Sequence, residues 1–378
     1  MLYGKVSHLL VPLVVILLVV DSRALLAAGS GETTHTNPKG QDASQILRAR
    51  LDATGSIRLP CGTFEIGSTI ELKSGTRVQG SGSCTVLKML RSMPPAALHA
   101  KFVPKASKTL RAIFTNRAPG DSNIVIENLT LDGAASPGNA HLISFYRASN
   151  VRVEGVNFIG SGNDAVQDGI SMIASTDYVV RGNTCTRIRN ACYDQWDGSK
   201  RFDIIDNIVD GGYLLTYGIL VNGISTAYAK ATTSNFRVSG NRILAVRHLG
   251  IGAFGLCSPD RSTCGMVTDG IIDRNLIDGV SDYYGIWIGN AKHVKVAENK
   301  IKASNKEAIR VASQNAGGYT RNILVRDNVV CGSSEGPGIN VGTGADFAVD
   351  VRVERNLVRG YSRAVKVAPN AHSIWVSP

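Results

Sequence analysis

The chain has 378 residues, and its 41 basic and 30 acidic side chains give a formal net charge of +11 at pH 7. No compact run of Lys and Arg with interleaved aromatic residues occurs, which argues against a nucleic-acid partner. Because a positive field concentrates anionic ligands, we expect an acidic polysaccharide or oligosaccharide as the partner. A cationic surface that only keeps the chain soluble and attraction to an anionic cell surface are the alternatives.

The N-terminus predicts an export signal. Lys5 precedes an unbroken apolar run over residues 9–20, and small residues follow at 27–29. Such a run is short for a bilayer span and has the flanks of a secretory signal. We predict a signal peptide over 1–29, a linker over 30–41, a secreted or periplasmic protein, and no stable membrane span after cleavage. An uncleaved anchor is the alternative.

Residues 42–378 are predicted to form one domain that begins with a short capping helix. Asp42 or Ser44 can cap an amphipathic helix that ends near Leu51. A stacked-repeat protein needs its first repeat covered, and this helix is a suitable lid. The predicted subdivisions are 42–120 for the cap and first coils and 121–378 for the regular coils.

After residue 120 the chain repeats an alternating apolar strand, an Asn or a residue in its place, and a second apolar pair. The repeat interval varies from 24 to 34 residues. Alternation predicts strands, and units of this size that cannot bury a face alone predict a stacked solenoid. Each unit also holds a strand with a small residue before a branched apolar one, and these Gly-Ile strands contain Gly169-Ile170, Gly218-Ile219, Gly250-Ile251, Gly285-Ile286, Ala308-Ile309, Gly338-Ile339 and Ala364-Val365. Three strands per unit predict an all-β, single-stranded parallel β-helix with three faces.

The repeated Asn is predicted to be a scaffold residue at the same tight bend of each coil. Asn tolerates a left-handed backbone and bonds neighbouring main chain, so stacked copies can satisfy one another along a ladder. The predicted members are Asn128, Asn183, Asn207, Asn241, Asn275, Asn299, Asn328 and Asn356. This interpretation places the glycosylation sequon at Asn128 on an inward bend, where modification is not expected.

Three motifs lie in the first predicted coil: Leu59-Pro60-Cys61-Gly62-Thr63-Phe64, Ser68-Thr69-Ile70-Glu71-Leu72 and Val78-Gln79-Gly80-Ser81-Gly82. Together with the later repeats, they resemble the pectin-lyase-like superfamily of right-handed parallel β-helices. Its members include pectate and alginate lyases, polygalacturonases, mannuronan epimerases and phage-type depolymerases. The resemblance covers nearly everything after residue 42 and implies the fold more strongly than the reaction.

The sharper signatures of that superfamily are absent from this chain. It has no Asp-Pro-His-Asp run, no Gly-His-Gly with its partner motifs, and no Arg-x-Pro-x-x-Arg stretch. No catalytic residue is therefore carried across from the resemblance. An Asp-rich segment over 194–210 offers oxygen ligands suited to calcium, but no motif supports a calcium site, so we expect no cofactor and no metal.

The seven cysteines lack the close paired spacings of a zinc site. In an exported chain they predict local disulfides. Cys257 with Cys264 is the best candidate pair, Cys61 with Cys84 comes next, and one cysteine must remain unpaired.

The outer side of the Gly-Ile strands is the predicted binding face. If each Ile points inward, the residue after it points outward. The predicted outward row is Ser171, Leu220, Gly252, Trp287, Arg310, Asn340 and Lys366, with Asn222 in a second row. Sugar rings stack on Trp and carboxylates pair with Arg, so such a face suits a polysaccharide, and a solvated exterior is the alternative. The predicted substrate-binding residues are Tyr193, Trp196, Arg201, Asn222, Trp287 and Arg310.

One coil, over 191–201, departs from the pattern because either Tyr193 or Asp194 can point inward. Breaks in local rules are expected at functional or strained sites, and a buried polar network is the alternative. Asp168 begins the equivalent strand one coil earlier. Neighbouring coils put side chains about 5 Å apart and alternate coils about 10 Å apart, which brackets the carboxylate separations of glycosidases. Asp168 with Asp194 or Asp197 is therefore a candidate hydrolytic pair.

A second chemistry uses basic residues on the same face. A lyase or epimerase must neutralise a uronate carboxylate so that a base can remove the proton on C5. Lys200, Tyr217 and His248 are the catalytic candidates, with Arg201 and Arg310 to pair the carboxylate. A lone His is more often a surface residue, although His248 titrates near neutrality.

Our leading hypothesis is an exported carbohydrate-active enzyme of lyase or epimerase type that acts on an acidic polysaccharide in a groove on the Gly-Ile face. A glycoside hydrolase with an Asp pair is the first alternative. A non-catalytic polysaccharide-binding or structural β-helix is the second. The candidate catalytic residues are Asp168, Asp194, Asp197, Lys200, Tyr217 and His248.

Overall fold

The structure is a computed structural model. It describes residues 42–96, 110–136, 138–160, 166–213, 215–224, 231–257, 264–304, 306–313, 319–342 and 347–378. The predicted signal peptide and linker lie outside the described residues.

The described chain is built almost entirely of strands. Its elements, in chain order, are α1 (Ser44–Thr54), β1 (Ser56–Arg58), β2 (Gly62–Ile66), β3 (Ile70–Leu72), β4 (Arg77–Gln79), β5 (Thr85–Met89), β6 (Arg111–Asn116), β7 (Ser122–Glu127), β8 (Thr130–Asp132), β9 (Ala140–Tyr146), β10 (Ser149–Glu154), β11 (Asn157–Ile159), β12 (Val166–Ile173), β13 (Thr176–Arg181), β14 (Thr184–Thr186), β15 (Ala191–Trp196), β16 (Lys200–Ile205), β17 (Ile208–Asp210), β18 (Tyr217–Ile224), β19 (Thr232–Ser239), β20 (Arg242–Val246), β21 (Leu249–Leu256), β22 (Met266–Asp273), β23 (Leu276–Val280), β24 (Tyr284–Gly289), β25 (Ala291–Ala297), β26 (Lys300–Ser304), β27 (Ile309–Val311), β28 (Tyr319–Arg326), β29 (Val329–Val341), β30 (Phe347–Glu354), β31 (Leu357–Val367) and β32 (His372–Ser377).

The strands stack into three parallel ladders, as the three strands of each repeat predict. Sheet 1 has twelve strands in the order β1-β4-β7-β10-β13-β16-β19-β22-β25-β28-β30-β32. Sheet 2 contains the short strands β2, β5, β8, β11, β14, β17, β20, β23 and β26. Sheet 3 contains β3, β6, β9, β12, β15, β18, β21, β24 and β27 and therefore the predicted Gly-Ile strands. Strands β29 and β31 are long enough to run through both sheets 2 and 3.

The core lies inside the coil, where the strands direct alternate side chains. In sheet 3 the inward row includes Ile170, Ile219, Ile251 and Ile286, all fully buried. Full burial of such a side chain contributes about 1.5–3 kcal/mol. The small residue before each Ile has a steric cause: a Cβ on Gly250 would lie 2.7 Å from the carbonyl oxygen of the next coil and 2.7 Å from a core Ile side chain.

The Asn ladder is confirmed from Asn183 onward. In each pair of coils the side-chain oxygen of the later Asn accepts hydrogen bonds from the backbone N–H and the side-chain amide of the earlier one, as between Asn183 and Asn207 at 3.0 Å for both. The members are Asn183, Asn207, Asn241, Asn275, Asn299, Asn328 and Asn356.

Two details of the Asn prediction are wrong. The left-handed residue is the one before each ladder Asn, as at Gly182 with φ 61° and Asp206 with φ 57°. Asn128 itself has φ 54° and is exposed, so it occupies this preceding position and lies outside the ladder. The repeat was therefore misaligned by one residue in that coil.

The N-terminal end of the core is covered by α1. Leu47 and Leu51 face the core, and Asp42 accepts hydrogen bonds from the backbone N–H of Ser44 and Gly67, both at 2.9 Å. Among the described residues no helix combines the length and the apolar character of a membrane span.

The predicted disulfides Cys61–Cys84 and Cys257–Cys264 are both present. A third bridge, Cys185–Cys192, was not predicted, and its cysteines are fully buried inside the solenoid. Cys331 is the remaining cysteine.

Candidate active site

The outer face of sheet 3 stacks side chains from successive coils in register. One row reads Ser144, Ser171, Asp194, Leu220, Gly252, Trp287, Arg310, Asn340 and Lys366. A second row, at the start of the strands, reads His141, Asp168, Ala191, Tyr217, Leu249 and Tyr284. Asp168, Asp194 and Tyr217 therefore come from three consecutive coils and meet at the broken coil.

Asp168 is a buried carboxylate with three hydrogen-bond donors. Its Oδ1 accepts bonds from Asn190 Nδ2 at 2.9 Å and Ala191 N at 3.1 Å, and its Oδ2 lies 3.2 Å from His141 Nε2. Burial raises the pKa of Asp168 to about 7, and the donors from Asn190 and Ala191 oppose this rise. Burial also lowers the pKa of His141 to about 3, so the ring is neutral and donates from Nε2. Its Nδ1 has no hydrogen-bond partner among the described residues.

Asp194 is a second carboxyl group whose surroundings favour the protonated form. Burial raises its pKa well above the usual range, and the carboxylates of Asp168 and Asp197 raise it further, whereas the hydrogen bond from Asn222 Nδ2 at 2.7 Å opposes the rise. Part of the Asp194 side chain still reaches solvent. The pair of carboxyl groups thus holds a proton beside a carboxylate, and Asp194 is the more exposed member.

Tyr217 and His248 extend this cluster along the next two coils. Their ring centroids are 5.8 Å apart, and His248 also lies edge-on to Tyr283 at 4.9 Å. Burial lowers the pKa of His248 despite Asp282, whose Oδ2 is 3.4 Å from its Nε2. Burial, then the charges of Tyr283 and Asp194, raise the pKa of Tyr217. A neutral imidazole therefore lies beside a protonated phenol.

Trp196 lies two residues after Asp194 on the same strand and packs against residues of the preceding coils. Its Nε1 donates to Ser171 Oγ at 2.9 Å, and its ring contacts the buried Tyr146 and Ile173. This tryptophan is half-buried, so part of its ring remains accessible beside the acids.

Trp287 and Arg310 do not offer the open binding surface that was predicted. Trp287 is only 8% exposed, because its ring stacks on Phe254 at 4.6 Å and meets the edge of Tyr284 at 5.9 Å. Arg310 donates to Tyr284 and forms an ion pair with Glu307 at 3.5 Å. Both residues stabilise an apolar cluster on the outside of the coil.

Three more predicted site residues lie elsewhere. Tyr193 is fully buried in the core, because its register partners are Ile170 and Ile219 of the inward row. Lys200 and Arg201 begin β16 of sheet 1, where Arg201 pairs with the exposed Asp177. The chain turns from sheet 3 to sheet 1 between Trp196 and Lys200, and this turn separates the two cations from the outer face of sheet 3.

Asp197 lies at that turn with φ 53° and is buried. It raises the pKa of Asp194 but is not part of either outward row. No group of three or more His, Cys, Asp or Glu side chains able to hold a metal ion occurs in the described part of the chain.

The sequence interpretation missed His141 and Asn190. The strand β9 carries Leu142-Ile143 in place of Gly-Ile, so it did not match the template, although Ile143 pairs with Ile170 one coil later. The interval of 27 residues between these two Ile positions was the available signal. Asn190 precedes a strand and had no distinguishing pattern.

Solved structures with the same architecture place this chain among known folds. The A-module of mannuronan C-5 epimerase AlgE4 from Azotobacter vinelandii has a TM-score of 0.58 at 16% identity, covering 89% of this chain and 96% of the module. The surface protein and adhesin PfbA of Streptococcus pneumoniae has a TM-score of 0.56 at 15% identity, covering 89% and 96%. A tailspike protein mutant of an E. coli bacteriophage, in complex with a hexasaccharide, has a TM-score of 0.55 at 12% identity, covering 91% and 72%.

The chain is a right-handed parallel β-helix protein. This confirms the fold, including its handedness, that the superfamily resemblance implied. No family model and no curated protein sequence matches the chain.

Proposed function

We propose that this β-helix protein is a glycoside hydrolase, with Asp194 as the general acid and Asp168 as its carboxylate partner. The observation that carries the proposal is the pair of carboxyl groups on adjacent coils of one face, each with a pKa that burial raises. Glycoside hydrolysis needs one carboxylic acid and one carboxylate on either side of the scissile bond. The outer face of sheet 3 supplies both at one place.

The surroundings of each acid suit a different role. Asp194 is the protonated group that reaches solvent, so it donates the proton to the leaving glycosidic oxygen. Asp168 is held by donors from Asn190, Ala191 and His141, which favour its charged form once the proton has left. In that form Asp168 takes the proton of the attacking water or stabilises the positive charge on the sugar ring.

The placement of the cations favours hydrolysis over elimination. A lyase needs a positive group that pairs with the substrate carboxylate. Of the predicted cations, Lys200 and Arg201 lie on sheet 1, and Arg310 is already paired with Glu307. The acids are therefore the better-supported chemistry of this face.

A lyase or epimerase remains the second candidate because of one observation. His248 and Tyr217 adjoin each other, and burial keeps the imidazole neutral and the phenol protonated. Such a pair can remove a proton with the imidazole and donate one with the phenol. The net charge of +11 also favours a uronate polymer.

The substrate that we propose is an acidic polysaccharide, and export to the cell exterior or periplasm is part of the same proposal. Three disulfides in the described chain support an oxidising compartment. The epimerase named for mannuronan and the tailspike with a bound hexasaccharide support a carbohydrate ligand for this architecture.

The decisive experiment identifies the product. The protein is incubated with polygalacturonate, alginate and a neutral glucan, and reducing ends and ultraviolet absorbance are followed together. Hydrolysis predicts new reducing ends without ultraviolet-absorbing unsaturated ends. Unsaturated ends would select the lyase, and binding without any product over the panel would select the non-catalytic alternative.

A further inference from the structure

A groove lies on the outer face of sheet 1, on a different face of the coil from the carboxyl pair. It has a volume of about 760 Å³ and is bordered by strands β28, β30 and β32. The side chains that face it include Asn322, Leu324, Asp350, Arg352, Glu354 and Trp375. None of these residues takes part in the site on sheet 3.

Trp375 gives this groove an open aromatic surface. Its side chain is 51% exposed, whereas Trp287 is 8% exposed and Trp196 packs against Tyr146 and Ile173. Trp375 has no ring partner among the described residues. An exposed indole on a flat strand face is a surface on which a sugar ring can stack.

Arg352 places a guanidinium beside that ring, between Asp350 and Glu354 of the same strand. It is the direct register partner of Trp375 on the neighbouring strand, and it is exposed. Asp350 lies 3.6 Å from Arg321, and Glu354 lies 4.0 Å from Arg355, which also donates to Asp327 at 2.8 Å. Arg352 forms no ion pair within the described residues. A free guanidinium is suited to bind a carboxylate with two parallel hydrogen bonds.

We propose that Trp375 and Arg352 form a second, non-catalytic binding site for a uronate-containing polysaccharide. A pyranose ring stacks on the indole of Trp375, and its carboxylate pairs with Arg352. Asn322 and Leu324 border the same groove, with Asn322 able to bond sugar hydroxyls. This site would hold the polymer on the protein while sheet 3 remains free for another segment. It needs only binding and does not rest on the catalytic proposal.

The test measures retention on gels that contain polygalacturonate or alginate, with a dextran gel as the neutral comparison. Trp375→Ala and Arg352→Ala should each weaken retention on the acidic gels about tenfold, which corresponds to the loss of one stacked ring or one paired charge. Arg352→Lys should restore part of the loss and make it more sensitive to salt. The matched control is Ile271→Ala, which removes a 39%-exposed apolar side chain from the same outward row of sheet 1.

A second measurement uses the accessibility of the indole. Addition of oligogalacturonate should protect the fluorescence of the exposed Trp375 from acrylamide quenching, and Trp375→Phe should lose this protected fraction while it retains the melting temperature. Equal retention of the wild type and both Ala variants on the acidic gels would overturn the proposal, as would equal retention on dextran. Because both measurements read binding, a failed hydrolysis assay does not affect their outcome.

Discussion

The outer faces of sheets 3 and 1 carry similar residue types, yet their acids behave in opposite ways. On sheet 3, burial and then the charge of Asp168 raise the pKa of Asp194. On sheet 1, Asp177 is exposed and bonded to Arg201 at 2.6 Å, and this guanidinium lowers its pKa. The difference shows that the same coil geometry can carry acids with raised pKa values and acids with lowered pKa values. The side chains that surround the charges on a face decide whether those charges are structural or reactive.

The apolar cluster on the outside of sheet 3 reinforces this contrast. Leu220, Phe254 and Trp287 project outward but are each less than a tenth exposed. On sheet 1 the equivalent outward positions hold exposed residues such as Ile271 and Trp375. An apolar surface beside charged groups strengthens the electrostatic interactions between them.

The largest effect expected is on turnover. Asp168→Asn should lower kcat/KM on the polymer that the product assay identifies by at least about 100-fold, because the amide cannot accept a proton. Asp203→Asn, an outward acid on sheet 1 in the coil that contains Asp194, is the matched control and should leave kcat/KM unchanged. Intact turnover in Asp168→Asn would remove this residue from the mechanism.

A second prediction concerns the pH profile of kcat/KM. The reaction requires Asp168 ionised and Asp194 protonated, so activity should rise as Asp168 loses its proton near its pKa of about 7. Activity should fall as Asp194 loses its own proton, and burial raises the pKa of this carboxyl group too. The apparent pKa values on the rising and falling sides of the profile belong to the coupled pair rather than to either residue alone. An activity plateau that already begins near pH 4 would contradict the raised pKa values.

A third prediction is a gain of stability on removal of the acid. The folded pKa of Asp194 lies above its value in the unfolded chain, so the folded state binds the proton more tightly and the wild type loses stability as the pH rises above about 4. Asp194→Asn should therefore have a larger free energy of unfolding than the wild type at pH 8 and unfold at a higher denaturant concentration. A raised pKa costs the wild type about 1.4 kcal/mol for each pH unit between the folded and unfolded pKa values. At pH 4 the two proteins should be alike. A variant less stable at pH 8 would show that Asp194 is a structural acid.

The smallest effect is expected on sheet 1, with the opposite dependence on pH. Because Arg201 lowers the pKa of Asp177, this pair stabilises the fold above the unfolded pKa, and the stabilisation is lost as the pH falls through the folded one. Asp177→Asn should therefore cost a little stability at pH 8 and none at pH 3. The cost should disappear in high salt, since the pair is exposed. Denaturant unfolding at two salt concentrations measures it.

The repeated strands could be predicted from the sequence. Residues of the candidate site could be predicted only where their strand matched the repeat. Gly250 and Ile251 were predictable because many coils repeat a Gly or Ala before a branched apolar residue. At Gly250 the next coil leaves no room for a larger side chain. Tyr193 and Asp194 could not be assigned to a side from the sequence, because alternation alone allows both registers. Neighbouring strands on both sides fix the choice.

Contacts across coils explain the other errors. Trp287 looked like an open ring, but its burial depends on Phe254, which belongs to a different row of the previous coil. His141 was missed because its strand lacks the glycine. Asn128 was misplaced because the sequence around it resembles the ladder motif shifted by one position.

The bridge between Cys185 and Cys192 has a consequence for how this chain must be made. Both sulfur atoms are sealed inside the solenoid, and Cys192 immediately precedes the strand segment that carries Tyr193 and Asp194. An oxidant cannot enter once the coils have closed, so the two thiols must join before their turn is sealed. Mild reductants added to the finished protein should spare this link while they open Cys61–Cys84 at the surface. A chain produced in a reducing cytosol would then close its coils over two unpaired thiols. One of them, that of Cys192, lies two residues before Asp194, on which we expect turnover to depend.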